Sequence, residues 1–312
     1  MEKVLITGAT GFLGRHCLAP LLARAAEVHS ATRSAAMRSD SGVHAHSVDL
    51  LDNDQVSALM ADVQPTHLLH VAWITTPGVY WTSPENALWL AAGEHLMRSF
   101  AANGGRRAVF AGSCAEYAWN CGPCRETTTP LRPTSIYGES KNNLRLRVED
   151  IARETGISAA WGRMFFLYGP HEHPQRLVAS VIRSLLNGLP ARCSAGTQQR
   201  DFLHVQDAAD AFVALLASSV EGPVNIASGQ VVAIHEVATN IASQLGRPDL
   251  LRLGELPMNP ADPPCVVADV RRLKEEVAWT PRFGLEAGLT DTIAWWTRHQ
   301  SAAQAGAFRV SA

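Results

Sequence analysis

The chain opens on an apolar run that breaks at once into three glycines: Val4-Leu-Ile-Thr-Gly8-Ala-Thr-Gly11-Phe-Leu-Gly14. A strand that turns on glycine straight into a helix restricts the architecture severely, because such a helix returns the chain to a parallel neighbour by a right-handed crossover. The alternation continues. Val4–Ile6, Glu27–Ala31, His67–Val71, Ala108–Ala111 and Ser158–Trp161 read as strands, and residues 12–25, 53–63, 85–103, 138–155 and 174–188 read as helices. This spacing predicts an α/β fold: a doubly wound parallel sheet of Rossmann type, with ligands at the carboxyl ends of its strands. Residues 1–170 form that domain, with a segment of about 205–230 returning to it. Residues 171–300 supply mainly a smaller lobe that binds substrate, and the tail 301–312 is weakly patterned and expected to fray.

Gly8, Gly11 and Gly14 sit where a phosphate loop requires them, between a strand and the first turn of a helix. Glycine permits close backbone approach, and the helix N-terminus offers unpaired N–H groups to a pyrophosphate. The alternative is a purely structural turn. A dinucleotide site usually carries an acid at the end of the second strand for the ribose hydroxyls, but Ala31-Thr-Arg33 has none. An arginine there suits a 2′-phosphate, so NADP(H) is favoured over NAD(H), unless Arg33 is only a solvated loop charge.

Composition excludes several classes. The 312 residues carry a net charge of −2 with no basic block, which argues against nucleic acid and acidic membrane surfaces as partners. No run approaches the roughly 18 apolar residues of a membrane span, and a glycine turn directly after the first apolar run is unlike a signal peptide, so the cytoplasm is the expected compartment. The six cysteines are scattered and form no disulfide framework. Cys121-Gly-Pro-Cys124 looks like a redox pair, but loop residues follow it where such a pair would open a helix, and no metal site is expected.

A second cluster of residues carries chemistry. Ala108-Val-Phe-Ala-Gly-Ser113 runs off a strand onto a hydroxyl, and Tyr137-Gly-Glu-Ser-Lys141 sets a phenol and an amine one helical turn apart. With GATGFLG, HVAW, GSCAEY, RMFFLYGP and RDFLHVQD in order, the chain resembles the extended short-chain dehydrogenase/reductase superfamily, within it the NAD(P)-dependent nucleotide-sugar epimerase/dehydratase family. The resemblance runs from residue 3 to about 297.

That resemblance implies a catalytic triad of Ser113, Tyr137 and Lys141. Tyr137 would exchange a proton, Ser113 would orient the reacting oxygen, and Lys141 would also hold the nicotinamide ribose. A free phenol has a pKa of about 10, so work near neutrality needs a shift of roughly three units, about 4 kcal/mol, from nearby positive charge. The cofactor residues implied are Gly8, Thr10, Gly11, Phe12, Leu13, Gly14, Arg33, Asp49, Leu50, Ala72, Tyr137 and Lys141. Substrate would meet Trp73, Ser113, Phe166, His171 and Arg200. Trp73 and Phe166 depart from the family pattern, which has alanine and asparagine there, and Pro257–Asp262 lacks a second arginine for the diphosphate. Residues 85–103 and 138–155 correspond to an intersubunit bundle in many relatives. Leu144, Val148 and Ile151 continue the Lys141 face, so a homodimer is expected unless that face packs on the sheet.

The expected reaction is NADPH-dependent reduction of a nucleoside-diphosphate 4-keto-6-deoxy sugar. By resemblance, dehydratases follow the triad hydroxyl with an Asp-Glu pair, where this chain has Cys114 and Ala115. Enzymes that invert C3 and C5 need a cysteine at the place of Ala115. An extended segment would turn Cys114 away. A nucleotide-sugar 4-epimerase with bound NAD is the alternative, and a non-catalytic dinucleotide-binding scaffold a remote one.

Overall fold

The structure, a computed structural model, describes residues 2–24, 27–33, 42–119 and 122–309. In chain order the elements are β1 (Lys3–Thr7), α1 (Gly14–Ala23), β2 (Glu27–Thr32), β3 (Val43–Ser47), α2 (Asn53–Val63), β4 (His67–His70), α3 (Glu85–Ala102), β5 (Arg107–Ser113), α4 (Ile136–Thr155), β6 (Ser158–Met164), β7 (Phe166–Tyr168) and α5 (Leu177–Leu186). Then come β8 (Ala191–Arg192), β9 (Gln199–Arg200), β10 (Phe202–His204), α6 (Val205–Ala217), β11 (Gly222–Ile226), β12 (Val232–Ala233), α7 (Ile234–Gln244), β13 (Leu251–Arg252), β14 (Cys265–Val266), α8 (Arg271–Glu275) and α9 (Leu285–Arg309).

The central sheet has seven strands in the order β11-β6-β5-β4-β1-β2-β3, all parallel. Its inner strands β1, β4 and β5 are buried along almost their whole length because helices cover both faces. Alternation along β1 assigns the layers. Val4 and Ile6 pack with Cys17 and Leu21 of α1 and Phe212 of α6, while Leu5 packs with Val56, Met60, Leu96 and Phe100 of α2 and α3. The winding reverses between β1 and β4, and the glycine turn opens at that switch point.

Residues 222–226 join this sheet beside β6, and α6 packs on α1. The remaining strands form small sheets, β10-β7, β12-β9-β14 and β13-β8, with α5, α7 and α9 around them. Tyr168, Ile182, Val237, Ile241 and Leu289 make the apolar centre of that part.

Several boundaries differ from the sequence reading. α4 starts at Ile136 rather than 138, because Ser135 caps it by accepting the Gly138 N–H at 3.1 Å, so Tyr137 lies inside the first turn. The first and fifth expected helices are shorter at both ends, Gly14–Ala23 and Leu177–Leu186. β3 carries no long apolar run and was not predicted. α9 runs on to Arg309, and residues 310–312 lie outside the described residues. Leu144, Val148 and Ile151 are core, at most 2% exposed, packed with Met97, Phe100 and Trp161. Gly93 of α3 allows this approach, since a Cβ there would lie 2.6 Å from the Leu144 side chain. Cys121 lies outside the described residues. Cys124 is buried and bridges to Ala268, and a turn rather than a helix follows it.

Candidate active site

The glycine turn is held by backbone proximity. Gly8 has φ +76°, and a Cβ there would stand 2.9 Å from the backbone of Ala72 at the end of β4. A Cβ on Gly14 would fall 2.1 Å from the Gly8 carbonyl oxygen, and the Gly11 N–H donates to that same oxygen at 2.9 Å. Leu13, at the N-cap of α1, makes no side-chain cap, and the first turn holds no acid. The helix therefore presents uncapped N–H groups and the positive end of its dipole beside the sheet's switch point, where a dinucleotide pyrophosphate fits.

Arg15, which sequence reasoning missed, clamps this turn. It donates to the Thr10 carbonyl at 2.6 Å, to the Gly11 carbonyl at 3.1 Å, and to His171 Nδ1 at 2.5 Å. Burial and the neighbouring Arg15 charge pull the His171 pKa down to about 4, which leaves the neutral imidazole that such a contact requires. His171 thus meets Arg15, His16, Trp295 and His299, on the side of the glycine turn rather than among the rings around Tyr137. The expectation that it touches the sugar has no support in these contacts.

Phe12 packs against the core under the turn. Asp49 turns its carboxylate onto the Leu51 N–H at 3.0 Å, and Leu50 is buried beside Ala72 in the second core layer. Arg33 is exposed at the end of β2 with no acid beside it in sequence.

Ser113 ends β5 and leads into a 3-10 turn, Cys114–Glu116, so the alternation expected of an extended segment does not apply. Cys114 is buried in the core, and burial raises its thiol pKa. Tyr137 and Lys141, one turn apart on α4, are 6% and 2% exposed. Ser113 acts on the Tyr137 phenol, lowering its pKa. The Lys141 ammonium donates to the Ala111 carbonyl at 2.8 Å and stands 3.7 Å over the Trp73 ring. Tyr80 and Trp81 meet Tyr137 edge to face at 4.9 and 5.6 Å, and the Tyr137 N–H donates to the Trp81 carbonyl. Trp73 is therefore a wall of the Tyr137–Lys141 pair, tied to Asn86 through its indole N–H at 2.8 Å.

Without a cofactor, the electrostatics at Tyr137 favour the neutral phenol. Burial pushes its pKa up, helped by Tyr80, while only Ser113 pulls it down. Burial takes Lys141 down to about 7, so the protein alone keeps the phenol protonated.

On the other side, Arg200 is 3% exposed and lies 5.3 Å over the Phe166 ring. It donates to the Gln199 and Pro263 carbonyls and sits 2.7 Å from Asp262. The segment that lacks a second arginine thus supplies a carboxylate to the one arginine present. Arg176, also missed, lies 5.8 Å over the Tyr80 ring. Among the described residues, no cluster of His, Cys, Asp and Glu could hold a metal ion, and no helix is long and apolar enough to cross a membrane.

The pattern of the NAD dependent epimerase/dehydratase family matches residues 4–227. The chain belongs to that family. It is similar to UDP-glucuronic acid decarboxylase 1 of Danio rerio, 26% identical over 309 residues, which cover 95% of this chain and 73% of that protein. It is also similar to dTDP-L-rhamnose 4-epimerase of Burkholderia thailandensis, 25% identical over 350 residues and 94% of each chain. Among solved structures, the Thermus thermophilus UDP-glucose 4-epimerase complex with NAD superposes with a TM-score of 0.85 at 27% identity, over 95% of this chain and 99% of that one. Membership in this epimerase/dehydratase family, with the superposition, establishes the Rossmann-like fold and a nucleotide-sugar enzyme family.

The burial of Lys141 has a measurable consequence. A lysine pulled from 10.5 to about 7 binds fewer protons folded than unfolded, so its penalty on stability is full below about pH 7 and fades as pH rises toward about 10.5. Lys141→Met should therefore raise stability by roughly 1–3 kcal/mol at about pH 6, with the gain vanishing near pH 10. Urea unfolding of cofactor-free protein across that range checks it, and a gain that grows with pH would contradict the assigned cause.

Proposed function

We propose that this enzyme carries out reversible oxidation and reduction at C4 of a nucleoside-diphosphate sugar, acting as a 4-epimerase with retained NAD(H). The observation that carries the reading is the convergence of Ser113, Tyr137 and Lys141 at the carboxyl end of β5, with the buried thiol of Cys114 and the methyl of Ala115 next to the serine. No carboxylic acid stands at either place. Elimination of water would need an added acid–base pair there, whereas C4 epimerisation needs only one group that moves a proton and one that orients the oxygen.

The glycine turn, Ala72 and the uncapped α1 N-terminus would hold the dinucleotide, and Lys141 its ribose. When bound, the nicotinamide supplies hydride acceptance and return. Tyr137, ionised once the positive charge of the oxidised cofactor lies beside it, takes the proton of the C4 hydroxyl and returns it to that oxygen after the 4-keto sugar has turned its other face to the nicotinamide. Ser113 orients that oxygen, and Lys141 offsets negative charge as it develops on the phenol oxygen. Arg200, already paired with Asp262, would lie along the diphosphate, with Phe166 against it. The similarity to a UDP-glucose 4-epimerase that binds NAD and to a dTDP-L-rhamnose 4-epimerase supports this ligand class and cofactor.

The deciding experiment offers UDP-glucose and dTDP-L-rhamnose to the purified enzyme. Formation of a 4-epimer without net change in cofactor is the expected result, and Tyr137→Phe should lower the rate roughly 10²–10⁴-fold while leaving NAD affinity intact. Near-normal turnover in Tyr137→Phe would rule the mechanism out.

A second reading, NADPH-dependent reduction of a 4-keto-6-deoxy sugar, rests on Arg33 alone, exposed at the end of β2 with no neighbouring acid. It requires that Arg33→Ala weaken NADPH binding about ten- to a hundredfold and spare NADH, since a charge-assisted contact contributes about 1.5–3 kcal/mol. Equal losses in a fluorescence titration leave the epimerase alone. We also infer a homodimer through α3 and α4, not through the Leu144 face but through the exposed Leu88 and Leu146, at 56% and 44% exposure. Leu146→Asp should shift sedimentation toward monomer, and an unchanged sedimentation coefficient contradicts that interface.

A further inference from the structure

The turn after Ser113 holds a carboxylate that the proposed chemistry does not use. Glu116 and its partner Arg163 on β6 are both completely buried. Glu116 Oε1 accepts the Ser113 N–H at 2.8 Å and the Trp161 indole N–H at 2.9 Å, while Oε2 accepts Arg163 Nε at 2.6 Å. Arg163 donates onward to the Tyr117 hydroxyl, which donates to Asn225. The space is cut for this arrangement. A Cβ on Gly112 would stand 2.0 Å from the Trp161 indole nitrogen and 2.7 Å from Glu116 Oε1.

A buried ion pair of this kind is weak evidence for stability, because apolar residues of similar volume often serve as well or better. Its placement says more. The one backbone donor that Glu116 holds from the sheet belongs to the triad serine, and Lys141 and Tyr137 of α4 face its charge. The other groups facing it are Arg163 on β6 and Tyr117 and Cys114 on its own turn. We propose that Glu116 is a positioning residue for the triad: it pins the main chain at Ser113 and sets a fixed negative charge behind Lys141 and Tyr137. The inference rests on the triad reading above.

The two roles act on Tyr137 in opposite directions, which separates them. The Glu116 charge opposes ionisation of the phenol, while Ser113, whose main chain Glu116 pins, favours it. The same charge supports the ammonium of Lys141 against burial. Glu116→Gln keeps an acceptor for the Ser113 N–H and removes the charge. Glu116→Gln/Arg163→Met keeps the acceptor and removes both charges of the pair, of which Glu116 and not Arg163 acts on Tyr137, and it leaves no buried unpaired guanidinium. Glu116→Val/Arg163→Met removes charge and pin together.

The test follows tyrosinate absorbance against pH in the NAD⁺ complex of the full chain, each variant minus its Tyr137→Phe counterpart. In Glu116→Gln/Arg163→Met the Tyr137 transition should move down by about half a pH unit or more relative to the starting protein. In Glu116→Val/Arg163→Met it should move back up as Ser113 loses its anchor, with NAD⁺ affinity within about threefold throughout. Coincident transitions in all folded variants, or absence of either shift, overturn the proposal, as does failure of every variant to fold, which would make the pair a folding element only. Undiminished turnover in Tyr137→Phe refutes the triad reading, whatever the Glu116 variants do.

Discussion

A lysine ammonium with 2% exposure stands at the centre of this molecule, and much of the structure around it offsets the cost of putting it there. Taking a cation out of water is strongly unfavourable unless dipoles or charges replace the solvent. Lys141 receives the Ala111 carbonyl from β5, the face of Trp73 from the end of β4, and the distant charge of Glu116. Each comes from a different element, so strand register, helix packing and the aromatic segment after β4 must all be in place before the amine has an environment. The Gly93–Leu144 approach that seats α4 on α3 belongs to the same requirement.

The glycine-turn side is organised by main chain more than by side chains. Gly8 leans on the Ala72 backbone, Gly14 on the Gly8 carbonyl, and α1 presents its N-terminus without a cap. Arg15 closes that turn from outside and, through His171, connects it to Trp295 and His299 of α9. The last helix is thereby in contact with the clamp on the phosphate turn. Arg200, by contrast, is a buried cation already held by Asp262 and two carbonyls.

Counting charges alone misjudges the triad. Lys141 next to Tyr137 suggests a depressed phenol pKa, yet burial acts on both groups and favours the neutral form of each. The protein by itself keeps Tyr137 protonated and leaves Lys141 poised near neutrality, an arrangement that responds strongly to any further positive charge brought beside it. Burial behind an aromatic wall of Trp73, Tyr80 and Trp81 sets most of that balance, and the internal carboxylate of Glu116 adds a smaller part.

The sequence by itself determined the parallel sheet, the glycine turn and the Ser113, Tyr137 and Lys141 set, because each is written locally. Strands buried on both faces read as apolar runs, a tight turn reads as glycine, and residues four apart share a helix face. It did not determine β3, whose Val-His-Ala-His-Ser pattern lacks an apolar run, nor that Leu144, Val148 and Ile151 would be core rather than interface. Periodicity shows that a face is apolar but not what covers it. Only the tertiary structure decided the pairings of Glu116 with Arg163, Arg15 with His171 and Arg200 with Asp262, 47, 156 and 62 residues apart. A lone charge in sequence carries no trace of its partner, because burial and proximity are created when distant segments meet, and those two quantities fix what a buried charge does.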